Sequence, residues 1–329
     1  MAKEANQGTE TVSPKNTVVG MVGVGDMGFA IASSIVRTFP LVVFDLRPEP
    51  IEKLVAMGAR RADSIKAVAE ACDILITVVV NDVQVKDVVG QLLKHPGKLR
   101  TIVVSATVLP DTVIALAEEA RKVGLDLIDA PVSGGAEKAS RGVLTLLIGG
   151  EDEPVQRSWP VLQTFGKNLF HVGPVGAGSA GKLVNNLLSM AGYTLALEAM
   201  QLAGAYGISE EKATEFVTVS AGDSRVIHTW GRVDRSRRGH TQYGTPTLYD
   251  TFAKDVKTAA LAAGARGISL PIAATIGAMM GEKMKARDKY LDGLGKTAPI
   301  PVCKLCGQEL ALPFRKAGAH LECTHGLAE

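Results

Sequence analysis

Lys182 and Asn186 stand four residues apart in GKLVNNLLSMAGYTLALEAM, a stretch rich in Ala and Leu and free of internal proline. On a helix that spacing puts an ammonium and a carboxamide on one face, able to point into one cleft. A lysine brought toward working pH by partial burial and nearby charge can take a proton from an alcohol or return it to a carbonyl oxygen. Its charged form also stabilises a developing alkoxide. The plainer reading is a solvated lysine on a helix surface. Upstream, the segment Asp129-Ala130-Pro131-Val132-Ser133-Gly134-Gly135 closes an apolar run with a Ser-Gly-Gly turn. Such a turn presents backbone N–H groups and a hydroxyl to a carboxylate, or is an ordinary turn that happens to carry a serine.

A third segment, Gly23-Val24-Gly25-Asp26-Met27-Gly28, follows an apolar run and opens a helical pattern. In that setting Gly23 permits a tight turn, Gly25 lets the backbone approach a pyrophosphate, and Gly28 lets helix and strand pack closely. Asp26 and Met27 lie at the start of the helix, whose N–H groups face the phosphates. The next apolar run ends in Asp45, where a carboxylate can accept hydrogen bonds from an adenine ribose diol. That carboxylate would repel a 2′-phosphate and favours NAD. Arg47 can pair with such a phosphate, so NADP stays open; its plainer reading is a solvated loop arginine.

These segments need a frame to hold them. Val18–Val24, Leu41–Leu46, Ile74–Val80, Thr101–Val104, Leu125–Ile128 and Val143–Ile148 are each rich in Val, Ile and Leu. The first five are separated by amphipathic stretches at 27–38, 50–57, 64–71, 82–94 and 111–122. Near-continuous apolar strands alternating with helices predict a doubly wound, Rossmann-type parallel sheet covered on both faces. Beyond Gly173 the texture turns helical, with a long helix over 182–206 and further helices near 209–219, 249–264 and 271–287. The expected organisation is a disordered arm (1–16), a dinucleotide-binding domain (17–177), an all-α substrate and oligomerisation domain (178–288), a Gly- and Pro-bearing linker (289–301) and a small tail module (302–329).

The whole chain has 329 residues, 46% of them hydrophobic and 21% charged, with 36 Lys plus Arg against 34 Asp plus Glu. So even a balance argues against nucleic acid or a membrane surface as the main partner. The longest apolar stretch, Ile74–Val80, is far short of the roughly 18 residues a membrane span needs. A polar N-terminus makes a cytoplasmic protein the expectation.

Of four cysteines, three crowd the end of the chain. Cys303-x2-Cys306 followed by His320 approaches a zinc spacing, with Cys323 or His325 as the fourth ligand. Structural zinc is the expectation there, against incidental thiols or a redox CxxC pair.

Together the glycine fingerprint, DAPVSGG with Ala139, Gly142 and Leu144, and Gly173-x-x-Gly176-x-Gly178-x-x-x-Lys182-x-x-x-Asn186 resemble the β-hydroxyacid dehydrogenase family. The resemblance runs from about Thr17 to Glu282. It implies an NAD(P)-dependent dehydrogenase of small 3-hydroxy acids, with Lys182 as acid/base, Asn186 holding substrate, and Ser133, Gly134 and Gly135 receiving its carboxylate. It further implies that Asn81 and Thr107 lie along the nicotinamide side and that Lys254-Asp255 belongs to the site. Many relatives carry Phe eight residues before that aspartate. Here the position is Thr247, which favours a more polar substrate, and AGDS (221–224) resembles the L-threonate dehydrogenase branch. The tail resembles nothing in that family. The remaining readings are a cofactor-loaded scaffold whose zinc tail recruits a partner, and a reductase of semialdehydes or imines on the same fold. A long apolar helix also predicts a homo-oligomer, dimer or tetramer.

Overall fold

The computed structural model describes residues 12–231, 233–234 and 248–293. The chain divides into two compact units, Met1–Leu183 and Val184–Glu329.

In the first unit, β1 (Val19–Val22), α1 (Asp26–Ile35), β2 (Leu41–Phe44), α2 (Pro48–Ala56), β3 (Arg60–Arg61), α3 (Ile65–Ala71), β4 (Ile74–Thr77), α4 (Asp82–Lys94), β5 (Thr101–Val104), α5 (Pro110–Lys122) and β6 (Asp126–Asp129) alternate. The strands run parallel in the order β3-β2-β1-β4-β5-β6. Because side chains alternate between faces, Met21, Val43, Ile76, Val103 and Ile128 join one core. Val22, Val42, Leu75, Ile102, Val104 and Leu127 join the other. This is the expected doubly wound sheet, with every central strand apolar on both sides.

The chain then departs from the simple alternation. It forms β7 (Val132–Ser133), α6 (Gly135–Ser140), β8 (Leu144–Gly149), α7 (Asp152–Leu162) and β9 (Gly166–Gly173). β8 runs antiparallel to β6 and β7 and parallel to β9. The sequence did not signal β3, β7 or β9: two are dipeptides, and β9 is largely exposed with a polar start, GKN. One other expectation shifts. Residues 12–16 are not a disordered arm: the Ser13 N–H donates to Asn16 Oδ1 at 2.9 Å, and Val12 packs on the core. Cys72 packs beside Gly20, where any Cβ would stand 2.5 Å from its sulfur, and burial pushes its thiol up to about 12.

The helix α8 (Ala177–Ala205) starts five residues earlier than its sequence pattern, for a reason given below. It leads into the second unit, with α9 (Glu210–Val217), α10 (Arg225–His228), α11 (Leu248–Ala265) and α12 (Pro271–Gly293). Ser209 and Ser224 cap α9 and α10 by accepting from Lys212 and Ile227 N–H. The last helix runs through Gly293 and so takes up the first residues of the expected linker.

This unit's core gathers Met190, Tyr193, Leu197, Met200, Trp230, Val256, Met280 and Met284. A charged cluster is set into it. The buried Arg287 guanidinium bonds both oxygens of Glu210 and both of Asp234, the latter at 3.2 and 2.8 Å. It also stacks over Trp230 at 5.1 Å. The Trp230 indole N–H donates to Glu210 at 2.8 Å, and the Tyr193 hydroxyl to Asp234 at 3.3 Å. Burial pushes the guanidinium's affinity for its proton down, but Asp234 and Glu210 outweigh it and the net shift is upward. Removing one partner of a buried charge cluster strands the others. Arg287→Ala is therefore expected to cost about 3–5 kcal/mol, measured by denaturant unfolding followed by tryptophan fluorescence.

Candidate active site

Five parallel strands end in one row. Val22 is in register with Phe44 and Thr77, Thr77 with Val104, and Val104 with Asp129. The loops leaving that row carry the residues singled out from the sequence: Gly23–Gly28 after β1, Asp45 and Arg47 after β2, Asn81 after β4, Thr107 after β5, and Ser133 shortly after β6. Chain connections reverse direction between β1 and β4, and open α/β sheets bind ligands outside such a switch point.

At β1 the geometry is that of a phosphate cradle. Gly23 has φ +90°, and a Cβ there would stand 2.4 Å from the Val78 carbonyl oxygen; one at Gly28 would stand 2.0 Å from the Gly23 oxygen. Gly25 occupies the N-cap of α1 and brings no side chain to bond its first-turn N–H groups. Asp26 lies in that first turn, and Met27 packs against the core. The residues present thus fit a dinucleotide: backbone donors, no blocking side chain, and a carboxylate at the neighbouring strand end.

That carboxylate is Asp45. Its Oδ2 accepts from Val24 N–H at 2.7 Å, and its Oδ1 from Arg47 N–H at 2.9 Å and Arg47 Nε at 3.2 Å. Burial pushes Asp45 up, but the bonds from Arg47 and Val24 prevail and hold it below the ordinary carboxylate value. Arg47 is therefore engaged with Asp45, a pairing its spacing did not announce. Asn81 caps α4, accepting from Gln84 N–H at 3.0 Å. Thr107 sits half-buried before α5.

Ser133 lies in β7, in register with Thr145, and the chain then opens α6 through Gly134 (φ 142°) and Gly135 (φ 83°). So the Ser-Gly-Gly element is a strand end followed by a helix start, not a free turn. Lys182, half-buried, and Asn186, buried, both lie on α8, one turn apart.

One residue bearing on this site went unselected in the sequence. Asp129 closes β6 and is fully buried. Its Oδ1 accepts from Gly176 N–H at 2.8 Å and its Oδ2 from Ser179 N–H at 2.5 Å. One carboxylate thus satisfies two N–H groups at the start of α8, the donors a helix N-terminus leaves open. Burial pushes Asp129 above the ordinary value, and those two bonds offset part of the rise. The contact is tight: a Cβ on Gly178 would stand 2.7 Å from the Asp129 carbonyl oxygen and 2.4 Å from that of Leu147, and one on Gly149 2.5 Å from Asp129 Oδ1. This anchor explains the early start of α8. Glycine is about 1 kcal/mol worse than alanine in a helix, so Gly176-x-Gly178 reads as a breaker until a cap from elsewhere in the fold is supplied.

In the second unit Asn186 Nδ2 donates to Asp255 Oδ2 at 2.6 Å. Lys254 Nζ stands 3.2 Å from Asp255 Oδ1, an ion pair in which that oxygen accepts no hydrogen bond from a described residue. The fold therefore joins Asn186, Lys254 and Asp255. Thr247 and the tail residues Cys303, Cys306, His320, Cys323 and His325 lie outside the described residues. Among the described residues, no three His, Cys, Asp or Glu side chains gather as a metal site, and no helix is long and apolar enough to cross a membrane.

The chain matches two family models in succession. Residues 18–173 match the NAD binding domain of 6-phosphogluconate dehydrogenase, and residues 176–302 the NAD-binding domain of NADP-dependent 3-hydroxyisobutyrate dehydrogenase. It is 31% identical over 263 residues to an NAD-dependent L-serine dehydrogenase of Pseudomonas aeruginosa, covering 77% of this chain and 88% of that one. It is 33% identical over 245 residues to an L-threonate dehydrogenase of Cupriavidus necator, covering 72% and 80%. The crystal structure of a 3-hydroxyisobutyrate dehydrogenase from Salmonella typhimurium superposes with a TM-score of 0.67 at 29% identity, over 92% of this chain and all of that one. With its switch-point glycines, its Ser-Gly-Gly element and a lysine on the connecting helix, the chain belongs to the β-hydroxyacid dehydrogenase family of NAD(P)-dependent oxidoreductases.

Proposed function

We propose that this enzyme interconverts a small, polar 3-hydroxy acid and its carbonyl product, with Lys182 as the general acid/base. The observation that carries the reading is the Asp129 anchor. It fixes the helix bearing Lys182 to the strand end that leads, four residues on, into Ser133. Bound at the strand ends, a nicotinamide cofactor supplies the hydride acceptor or donor. Ser133, with the backbone of Gly134 and Gly135, grips the substrate carboxylate. In oxidation, Lys182 Nζ in its neutral form takes the hydroxyl proton. In reduction the ammonium returns that proton to the oxygen and stabilises its developing charge. Asn186, oriented through its bond to Asp255, holds the substrate. Asn81 and Thr107 border the nicotinamide side and Lys254 borders the cofactor. Thr247, as a hydroxyl in place of a large apolar wall, favours a polyhydroxylated or amino-bearing acid such as L-threonate or L-serine, the substrates named for two relatives. Lys182→Ala is expected to lower kcat at least about a hundredfold, measured as NADH formation from L-threonate, L-serine or 3-hydroxyisobutyrate; undiminished turnover would remove the mechanism.

NAD is the proposed cofactor. In this reading Asp45, at the end of β2, faces the adenine ribose and repels a 2′-phosphate, a case of discrimination by an unfavourable contact. Asp45→Ala should narrow the kcat/KM preference for NAD over NADP by about tenfold, the equivalent of ~1.4 kcal/mol. An unchanged ratio would move the discrimination elsewhere.

Two further readings complete the proposal. The tail cysteines and histidines bind a structural zinc, with Cys303, Cys306 and His320 joined by Cys323 or His325. The chain also forms a homo-oligomer: Val184, Leu188, Leu195 and Leu202 leave an exposed apolar row on α8. Metal analysis is expected to find zinc in the purified protein and sedimentation a dimer or tetramer. Chelation should release the zinc while NAD-linked turnover persists, because the proposed chemistry uses a lysine.

A further inference from the structure

We propose that Asp129 is a positioning residue for the reaction: its carboxylate sets where Lys182 stands relative to the Ser133 element. The inference rests on the reading of Lys182 as acid/base and deepens it.

Three chain segments meet at this carboxylate. Asp129 is the last residue of β6, and its backbone is in register with Gly149 at the end of β8. Its two oxygens hold Gly176 N–H and Ser179 N–H at the start of α8. Gly149 and Gly178 remove the side chains that would separate the segments, since a Cβ at either would fall within 2.9 Å of several neighbouring atoms. Two more early N–H groups are served locally: Ala177 donates to Pro174 and Ala180 to Gly176, both at 2.9 Å.

Helix termini normally take caps from residues adjacent in sequence. Here the cap comes from nearly fifty residues away, from the strand end beside the substrate element. Lys182 lies three residues past Ser179, and Ser133 four past Asp129. Both proposed contacts with substrate are therefore within about one helical turn, or a few residues of strand, of one fully buried group. A shift of α8 along its axis would move the amine relative to a clamped carboxylate, and a misplacement of about 1 Å can cost on the order of a hundredfold in rate.

A merely structural cap predicts something else: lost stability, with kinetics of the folded fraction unchanged. Asp129→Asn separates the two. The amide keeps size and one acceptor oxygen but turns an N–H donor toward one of the two N–H groups. Turnover with NAD is measured on L-threonate, L-serine and 3-hydroxyisobutyrate, per folded protein as judged by NADH binding, in the parent and in Lys182→Ala. The expected result is a fall in kcat of about tenfold or more with KM for NAD within about twofold, and little further loss when Lys182 is already absent, since coupled sites are non-additive. An unchanged kcat in folded Asp129→Asn overturns the inference, as does an equal loss in both backgrounds. Where Lys182→Ala falls below detection, the split between kcat and KM decides. Should the amide variant fail to fold, Asp129→Ser, smaller and still an acceptor, takes the same test. If Lys182→Ala turns over like the parent, the acid/base reading fails and this inference with it; if it does not, a silent Asp129→Asn sinks the positioning role alone.

Discussion

A carboxylate sealed from water fixes where the long helix leaves the sheet. A carboxylate removed from solvent is costly unless its lone pairs are met, and Asp129 meets them with two N–H groups that the start of α8 has to spare. The helix macrodipole adds to the attraction, its positive end facing the negative group. The arrangement tolerates little: with glycines at 149 and 178 there is no slack for a different approach of helix to sheet. The first turn of the long helix, with Lys182 just beyond it, inherits its place from this contact.

Around that contact the fold does what doubly wound sheets do. Five strand ends in register deliver their loops to one edge. The glycines after β1, the acid after β2, the Asn81 cap of α4 and the Ser133 element all arrive there because the strands are parallel, not because the residues are near in sequence. The second unit is organised differently, around Arg287 and its two carboxylates rather than around a sheet. Its polar trio of Asn186, Asp255 and Lys254 is likewise assembled from separate helices.

Much of this was legible in the residues. The parallel sheet announced itself through strands such as ILIT and TIVV, apolar on both faces, and the cofactor edge through glycines set between strand and helix. Most of what stayed hidden depended on partners remote in the chain. The early turn of α8 reads as a glycine breaker until Asp129 caps it. Strand β9 pairs with β8 although its own sequence alternates poorly. Arg47 is the local exception: it resembled a solvated loop residue, yet it fastens the carboxylate two positions before it. Asp255 was chosen by resemblance, while the reason for it, a bond to Asn186, is a tertiary fact.

Cys72 offers a practical handle. Packed beside Gly20 with its ionisation suppressed, it has almost no thiolate at neutral pH, and thiolate is the form that alkylating probes attack. A maleimide dye applied to the native enzyme is therefore expected to pass over Cys72, the one cysteine between residues 12 and 183, and to leave the cofactor-binding unit chemically silent.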